Sequence, residues 1–262
     1  MIRILSWGCG VQSTVLGEMS AYGDLSRLDA IITADIGWER QATYDIRDWY
    51  ANRWRGMGMR VEIVSGGNIR RGAEEHIHIP FWTSGGGPLR RQCTRHFKLT
   101  PLKQRSRELA GFHATRPPHP PAGTIEQWLG ISLDEHRRAV RSRIRFIVNR
   151  YPLLEMRMVR QDCIAYLEKK GLPVPPKSAC ICCPYRSASE WLEMRDEAPD
   201  EFAAAVAFDE TNRHNPLATR GGSTEEELYL LRSLEPLGQA NLEALAKKER
   251  PSSRAIQIPM FW

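Results

Sequence analysis

Four of the six cysteines have spacings typical of a metal or iron–sulfur site. Cys180 and Cys183 form a Cys-x-x-Cys pair in a proline-flanked loop, and two thiolates at this spacing can bind one metal centre. Cys93 lies in a basic segment, which we expect to lower the pKa of its thiol. Cys163 opens a predicted helix 17 residues before Cys180, so its thiol could reach the same site. The predicted metal ligands are therefore Cys93, Cys163, Cys180 and Cys183.

Three interpretations of these cysteines are open. We favour a [4Fe–4S] cluster held by Cys93, Cys180 and Cys183. Either Cys163 or an exogenous group would supply the fourth ligand of that cluster. A zinc site is the second interpretation, and it would add His96 to the same three cysteines. In the third interpretation the thiols hold no metal.

A glycine-rich stretch, residues 6–14, has the composition of a phosphate-binding loop. It follows an apolar run at 2–5 and precedes a helix-like run at 15–22. A strand, a glycine turn and a helix start together present backbone N–H groups and the positive end of a helix to an anion. The alternative is an ordinary glycine turn. We expect Cys9 to line the phosphate-binding loop. The residues expected to contact the bound group are Ser6, Trp7, Gly8, Gly10, Gln12, Ser13 and Thr14.

A carboxylate follows the next apolar run of the sequence. Residues 28–34 have the near-continuous apolar character of a buried parallel strand, and Asp35 comes directly after them. Ligands of open α/β sheets bind at the carboxyl ends of the strands. We therefore expect Asp35, with Glu39 nearby, to meet a ribose, an adenine amine or Mg²⁺. The alternative is that Asp35 only caps the following helix.

The positive charge is concentrated in two segments, and the net charge of the chain is +6. Such clusters suit a polyanion or a phosphorylated nucleotide, although a solvated helix face is the alternative for the second segment. The residues are Arg90, Arg91, Arg95, Lys98 and Lys103 in the first, and Arg137, Arg138, Arg141, Arg143 and Arg145 in the second.

The hydrophobic pattern that must position these residues predicts an α/β fold. Strands at 2–5, 28–34 and 60–64 alternate with helices at 15–22 and 41–54, which gives a βαβαβ unit with a parallel sheet. Further segments are predicted as strands at 125–131 and 145–152, and as helices at 160–170, 188–196, 199–212 and 224–247. We expect a doubly wound, mostly parallel, Rossmann-like domain over 1–212 and a helical C-terminal extension over 213–262. The apolar tail, residues 256–262, is expected to dock on the body.

The composition excludes several classes of protein. The chain has 262 residues, of which 42% are hydrophobic and 26% charged, as in soluble globular proteins. No apolar run approaches the roughly 18 residues that a membrane span needs. The sequence starts on a strand-like run without a basic leader, so we expect a cytoplasmic location and no membrane partner. Six cysteines in such a chain do not predict a disulfide scaffold.

Together the motifs resemble those of the PP-loop adenine nucleotide α-hydrolase superfamily, most nearly its phosphoadenosine phosphosulfate (PAPS) reductase-like branch in phages and bacteria. Residues 6–14 are similar to the Ser-x-Gly loop of that family. Residues 93–102 are similar to its Cys-Cys-x-x-x-Lys-x-x-Pro-Leu signature. The other matching stretches are 33–39, 130–135, 160–166 and 180–184. The resemblance covers about residues 2–212.

The resemblance implies an enzyme with a PP-loop type fold and an adenine nucleotide, either ATP or PAPS/APS. It places Gly130 at the nucleotide. The predicted catalytic residues are Arg95, Lys98 and Glu135. We expect Arg91, Arg95 and Lys98 to neutralise charge that develops on the phosphates or on a nucleic-acid substrate.

Three departures from the family pattern shape the functional hypothesis. Gln12 stands near the place of the aspartate of ATP pyrophosphatases, and Gln92 replaces the first cysteine of the Cys-Cys pair. No cysteine follows Cys183, where true reductases carry their nucleophile. We therefore expect an ATP-dependent, sulfurtransferase-like enzyme that adenylates a nucleic acid or a small metabolite, with the cluster holding the sulfur.

Two other functions remain open. One is a PAPS/APS reductase-type oxidoreductase that uses a thioredoxin-like reductant. The other is a non-catalytic nucleotide- or nucleic-acid-binding module with a structural zinc. The sulfur donor and the formation of a homodimer are also open.

Overall fold

A parallel β-sheet forms the centre of the larger of two compact units in this computed structural model of the chain. The structure describes residues 1–75, 78–217 and 226–249. Within these ranges the first unit contains residues 1–66 and 97–178. The second unit contains residues 67–75, 78–96, 179–217 and 226–249. The predicted boundary after residue 212 falls inside the second unit, and as a domain boundary it stays a prediction.

The elements follow one another in a βαβαβ order at the start of the chain, as predicted. The strands are β1 (Ile2–Ser6), β2 (Ala30–Asp35), β3 (Val61–Ser65), β4 (Trp82–Thr83), β5 (Ile125–Leu129), β6 (Ile147–Arg150) and β7 (Leu228–Tyr229). The α-helices are α1 (Val11–Tyr22), α2 (Gln41–Gly56), α3 (Ile69–Glu75), α4 (Thr100–Leu109), α5 (Pro152–Glu155), α6 (Arg160–Lys169), α7 (Ala188–Glu197), α8 (Pro199–Thr211) and α9 (Leu242–Lys248). A π-helix, Thr94–Leu99, precedes α4, and a 3₁₀-helix, Leu133–Arg138, follows β5.

The sheet of the first unit has the strand order β3-β2-β1-β5-β6, and each neighbouring pair is parallel. The chain runs outward from β1 through β2 to β3 and later continues through β5 to β6 on the other side of β1. The strand order therefore reverses beside β1, which is the point where open α/β sheets bind ligands. The predicted α/β fold with a mostly parallel, doubly wound sheet is confirmed.

Helices cover both faces of this sheet because alternate strand residues point to opposite sides. On one face, Leu5 and Ile31 pack with buried residues of α1, α2 and α6. On the other face, Ile4 and Ile32 pack with Leu102 of α4. The sheet thus fixes the position of the loops that leave its carboxyl edge. Among the described residues, no helix is long and apolar enough to cross a membrane.

The second unit combines the short antiparallel pair β4–β7 with helices α3, α7, α8 and α9. The carboxylate of Asp209 on α8 is fully buried, and its two oxygens accept the backbone N–H groups of Leu230 (2.7 Å) and Leu237 (3.0 Å). Arg213 pairs with the same carboxylate. A buried charge with these partners fixes the path of the chain between β7 and α9.

Two of the three helices predicted late in the chain, 188–196 and 199–212, are confirmed by α7 and α8. The third, at 224–247, is wrong. Over its described part the chain forms β7, then turns, and only then α9. The backbone there is bound by β4 and by Asp209, which overrides the helical pattern of its leucines. The tail at 256–262 lies outside the described residues.

Candidate functional site

The glycine-rich loop joins the carboxyl end of β1 to the first turn of α1. Gly10 is the N-cap of α1, and the backbone N–H of Thr14 donates to the Gly10 carbonyl oxygen (3.1 Å). The N–H groups at the start of a helix have no acceptor within it. A Cβ placed on Gly8 or Gly10 would meet no atom within 4 Å, so the space beside the loop is open.

Several predicted contact residues build the loop itself. The indole N–H of Trp7 donates to the Thr14 hydroxyl (3.0 Å), and both residues are buried. The Ser13 hydroxyl accepts the Gly8 backbone N–H (3.3 Å) and donates to the Gly10 carbonyl oxygen (3.2 Å). These bonds hold the loop in shape before any ligand binds. Direct contacts from the predicted residues to a ligand stay a prediction.

Cys9 anchors the middle of the loop. Its φ of 56° lies in the left-handed region, which a non-glycine residue rarely adopts. Its side chain is 5% exposed, with Sγ 3.4 Å from the Thr33 hydroxyl. Burial raises the pKa of this thiol to about 11, so the group is neutral at physiological pH. A buried, neutral thiol thus holds the middle of the loop in place.

Gly130 lies where β5 ends against the start of α1. A Cβ at this position would be 2.5 Å from the Ser13 backbone nitrogen and 2.9 Å from the Gln12 carbonyl carbon. Both are backbone atoms, which cannot move aside cheaply. The packing therefore requires glycine here, and the expected contact of Gly130 with a nucleotide stays a prediction.

A polar network surrounds Gln12 at the same edge. The Gln12 side-chain oxygen accepts from the Arg160 guanidinium (3.0 Å), and its amide nitrogen donates to Glu135 and to the Ser132 hydroxyl (3.4 Å each). Glu135 also pairs with Arg138 at 2.6 Å. The network brings two guanidinium groups and one carboxylate to the N-terminal turn of α1. Gln12, in place of a carboxylate, can accept the Arg160 bond and donate to Glu135 at once.

Asp35 ends β2 as predicted, but its carboxylate is already engaged. One oxygen accepts the Gly37 backbone N–H (2.7 Å) and the Tyr44 hydroxyl (3.2 Å), and the other accepts from Arg47 (2.9 Å). The Arg47 guanidinium also lies over the Tyr44 ring, 4.7 Å from its centroid. Asp35 therefore organises the loop between β2 and α2. Its expected contact with a nucleotide or Mg²⁺ stays a prediction.

Glu39 lies in the same loop, and only one of its two carboxylate oxygens has a hydrogen-bond partner among the described residues. Its side chain is 6% exposed, and Oε1 accepts from the Lys98 ammonium group at 2.7 Å. The buried Oε2 has no hydrogen-bond partner among the described residues. Glu39 and Lys98 both act on the pKa of Cys9 in the glycine-rich loop, with opposite signs. A buried carboxylate oxygen without a donor is costly, and a ligand that donates to it would relieve the cost.

Three of the four predicted metal ligands belong to the second unit. The thiols of Cys180 and Cys183 are hydrogen-bonded to each other. Cys93 is close enough to Cys183 that a negative charge on the Cys183 sulfur raises the pKa of Cys93. Burial raises the pKa of Cys93, and the Arg91 guanidinium opposes this by bonding to the same thiol. The expectation of a lowered pKa is therefore wrong, because desolvation outweighs the neighbouring positive charge.

Cys163 belongs to the first unit, where it is fully buried in the hydrophobic core. Burial raises the pKa of its thiol to about 12. Over the described ranges, no group of three or more His, Cys, Asp and Glu side chains is placed to hold a metal ion. Metals bind the thiolate, so a buried thiol with a raised pKa must lose its proton when a metal binds. The predicted four-cysteine ligand set stays a prediction.

Comparisons with known proteins give a distant structural likeness. No family model matches the sequence, and no curated protein matches it. Among solved structures, the chain is similar to phosphoadenylyl-sulfate (PAPS) reductase from Candida auris in its phosphate complex. The sequence identity is 12%, the TM-score is 0.45, and the match covers 67% of this chain and 75% of that chain. A likeness at this level carries no functional argument.

The predicted catalytic residues do not all fall in one unit. Lys98 and Glu135 belong to the first unit, in the contacts described above, whereas Arg95 is exposed in the part of the π-helix that belongs to the second. The sequence did not predict that the guanidinium groups of Arg47 and Arg160 lie at the carboxyl edge of the sheet. The signal for Arg47 was its spacing of three residues from Tyr44 at the start of a helix, which places both side chains on the face next to Asp35.

Proposed function

We propose that the first unit binds an adenine nucleotide with its phosphates on the glycine-rich loop and uses it to adenylate an acceptor. The observation that carries this proposal is the open space beside Gly8 and Gly10, in front of the first turn of α1. Such a turn offers free backbone N–H groups and a partial positive charge. The reversal of the strand order beside β1 is the second support.

The side chains around the loop suit a triphosphate. The guanidinium groups of Arg160 and Arg138 stand on one side, and the ammonium group of Lys98 stands near Cys9 on the other. Cations on either side would neutralise charge that develops on phosphate oxygens as a bond breaks. The unpartnered oxygen of Glu39 offers an acceptor for a ribose hydroxyl or the adenine amine.

The proposed reaction is attack of an acceptor oxygen on the α-phosphorus of ATP. A bond forms between that oxygen and phosphorus, the bond to the bridging oxygen breaks, and pyrophosphate leaves with the negative charge. Glu135 would take the proton of the acceptor, since its carboxylate lies at the loop between Gln12 and Arg138. In the sulfurtransferase-like form of the proposal, a sulfide-level donor then displaces AMP from the adenylated carbon. The arrangement of the cysteines does not support a role for an iron–sulfur cluster in this step.

Calorimetric titration with ATP, PAPS and adenosine tests the binding. Gly8→Ala adds a methyl group to the open space, so it should weaken ATP binding about tenfold or more while leaving the melting temperature unchanged. Gly56→Ala is the matched control, because Gly56 also has no atom within 4 Å of an added Cβ but lies at the end of α2. Equal ATP affinity in both variants would contradict the proposal. Tighter binding of PAPS than of ATP would favour the reductase alternative.

The products of ATP turnover test the reaction itself. With bulk tRNA or single-stranded DNA as trial acceptors, adenylation predicts AMP and pyrophosphate. Glu135→Gln should reduce their formation without changing the affinity for ATP. Release of ADP and inorganic phosphate would contradict adenylation.

A further inference from the structure

We propose that Cys180 and Cys183 of the second unit form a reversible disulfide that exchanges with external disulfides, which makes this turn a two-electron redox site. The proposal does not depend on nucleotide binding by the first unit. It rests on the backbone turn that joins the two cysteines, on the contacts that fix this turn, and on the partial exposure of both cysteines.

The turn brings the two cysteines to disulfide distance. The backbone N–H of Cys183 donates to the Cys180 carbonyl oxygen at 3.3 Å. In a β-turn of this kind the Cα atoms of the first and fourth residues are less than about 7 Å apart, which overlaps the range seen across disulfides. The two thiols already bond to each other. Formation of the disulfide therefore requires no large rearrangement of the backbone of this turn.

Neighbouring side chains hold this turn in place. The Arg186 guanidinium donates to the carbonyl oxygens of Ala179 and Cys180, at 3.1 Å each. The backbone N–H of Arg186 donates to the Cys183 carbonyl oxygen at 3.2 Å. The Trp82 indole donates to the carbonyl oxygen of Pro184 at 3.0 Å. Because both ends of the turn are fixed, the two sulfur atoms stay close together in the reduced state.

The three cysteines of the turn have different access to solvent. Cys180 and Cys183 are partly exposed, whereas Cys182 between them is fully buried. An external disulfide can therefore reach either member of the pair, whereas Cys182 is shielded.

The exchange balances with a low-molecular-weight disulfide such as oxidised glutathione. The thiolate of one cysteine of the pair attacks one sulfur of that disulfide, forms a mixed disulfide and releases one thiolate, which takes up a proton. The other cysteine then loses its proton and attacks the sulfur of the first, and the second thiol of the reagent leaves. Two protein thiols are oxidised to one disulfide, and one external disulfide is reduced to two thiols.

Cys93 is a neighbour of this pair rather than a member of it. Its thiol is bonded by the Arg91 guanidinium, whose carbon atom Cζ lies 5.5 Å from the centroid of the Tyr185 ring. The thiol of Cys183 is bonded instead to Cys180. Cys93→Ser is therefore a matched control, since it removes a nearby thiol without touching the turn.

Thiol labelling in glutathione redox buffers tests the proposal on the full chain. Trypsin releases residues 178–186 as one peptide with three cysteines. After labelling of the unfolded protein with N-ethylmaleimide, the reduced peptide carries three labels. We expect one label, on Cys182, at high oxidised glutathione. Cys93→Ser should give the same result, whereas Cys180→Ser and Cys183→Ser should form no internal disulfide and should instead carry glutathione as a mixed disulfide on the remaining thiol of the pair at high oxidised glutathione.

Three results would overturn the proposal. One is a peptide that carries three labels at every glutathione ratio. Another is a crosslink from Cys93 to the peptide in place of the internal disulfide. The third is stoichiometric iron or zinc in anaerobically purified protein that is lost in both Cys180→Ser and Cys183→Ser, because the same thiols would then be metal ligands.

Discussion

At the scale of single residues, position 130 requires glycine because two backbone segments lie very close together there. Its missing side chain lets the end of β5 meet the start of α1, with 2.5 Å between an added Cβ and the Ser13 backbone nitrogen. Gly130→Ala should therefore lower the free energy of unfolding by about 1–3 kcal/mol, measured by urea denaturation. Gly56→Ala is the control and should be neutral or slightly stabilising. An unchanged stability of Gly130→Ala would show that the two backbones can separate at no cost.

The thiol of Cys163 makes a second prediction at this scale. Its pKa is raised to about 12 by burial, whereas an unfolded cysteine ionises near pH 8.5. Between these values the folded chain keeps a proton that the unfolded chain loses. Stability is thus fully present below about pH 8.5 and falls as the pH rises toward 12.

Cys163→Val removes this titration while keeping an apolar side chain of similar size. The free energy of unfolding of the variant should fall less steeply above pH 9, by at most about 1.4 kcal/mol per pH unit. Urea denaturation at pH 8, 9 and 10 measures the slope. Equal slopes would place the thiol in a solvated environment. Loss of bound iron in the variant would restore Cys163 as a cluster ligand.

At the scale of elements, the ion pair between Glu39 and Lys98 links the loop after β2 to the π-helix that precedes α4. Glu39 is 6% exposed and Lys98 35%, so removing one partner leaves a mostly buried charge. Lys98→Met should cost about 1–3 kcal/mol of unfolding free energy. Adding Glu39→Gln should recover part of that loss, since the remaining group is then neutral.

The matched control for this double-mutant cycle is the pair of Arg195 on α7 and Glu243 on α9. Its two side chains lie 2.7 Å apart but are 38% and 54% exposed. Its coupling energy should lie within about 0–1 kcal/mol. A coupling energy for Glu39 and Lys98 no larger than this would contradict their role in fixing the sheet edge.

The elements differ in how far the sequence predicts them. Apolar runs such as residues 30–35 specify parallel strands because both faces of such a strand are buried. The pairing of β4 with β7 joins residues 82–83 to 228–229, and no local pattern carries information over that separation. The leucines near residue 230 have a helical spacing, and that spacing likewise contains no information about distant partners. Their backbone is bound by Asp209, which is distant in sequence.

At the scale of the whole molecule, the sequence predicts where the candidate site lies better than what each residue does. The glycine-rich loop and Asp35 lie at the carboxyl edge of the sheet as expected. The engagement of Asp35 by Arg47 depends on how α2 packs, which sequence spacing only hints at. Cys163 and Cys180 are close in sequence, yet they belong to different units. Sequence spacing alone therefore does not show which unit a predicted ligand belongs to.

The central claim is that the backbone N–H groups of the glycine-rich loop bind the phosphates of an adenine nucleotide. Hydrogen–deuterium exchange of the amides of residues 8–12, with and without saturating ATP, tests it most directly. We predict exchange at least about tenfold slower with ATP, no comparable slowing with adenosine, and loss of the effect in Gly8→Ala. Protection elsewhere in the chain with no change at residues 8–12, or equal protection by adenosine, would contradict the claim.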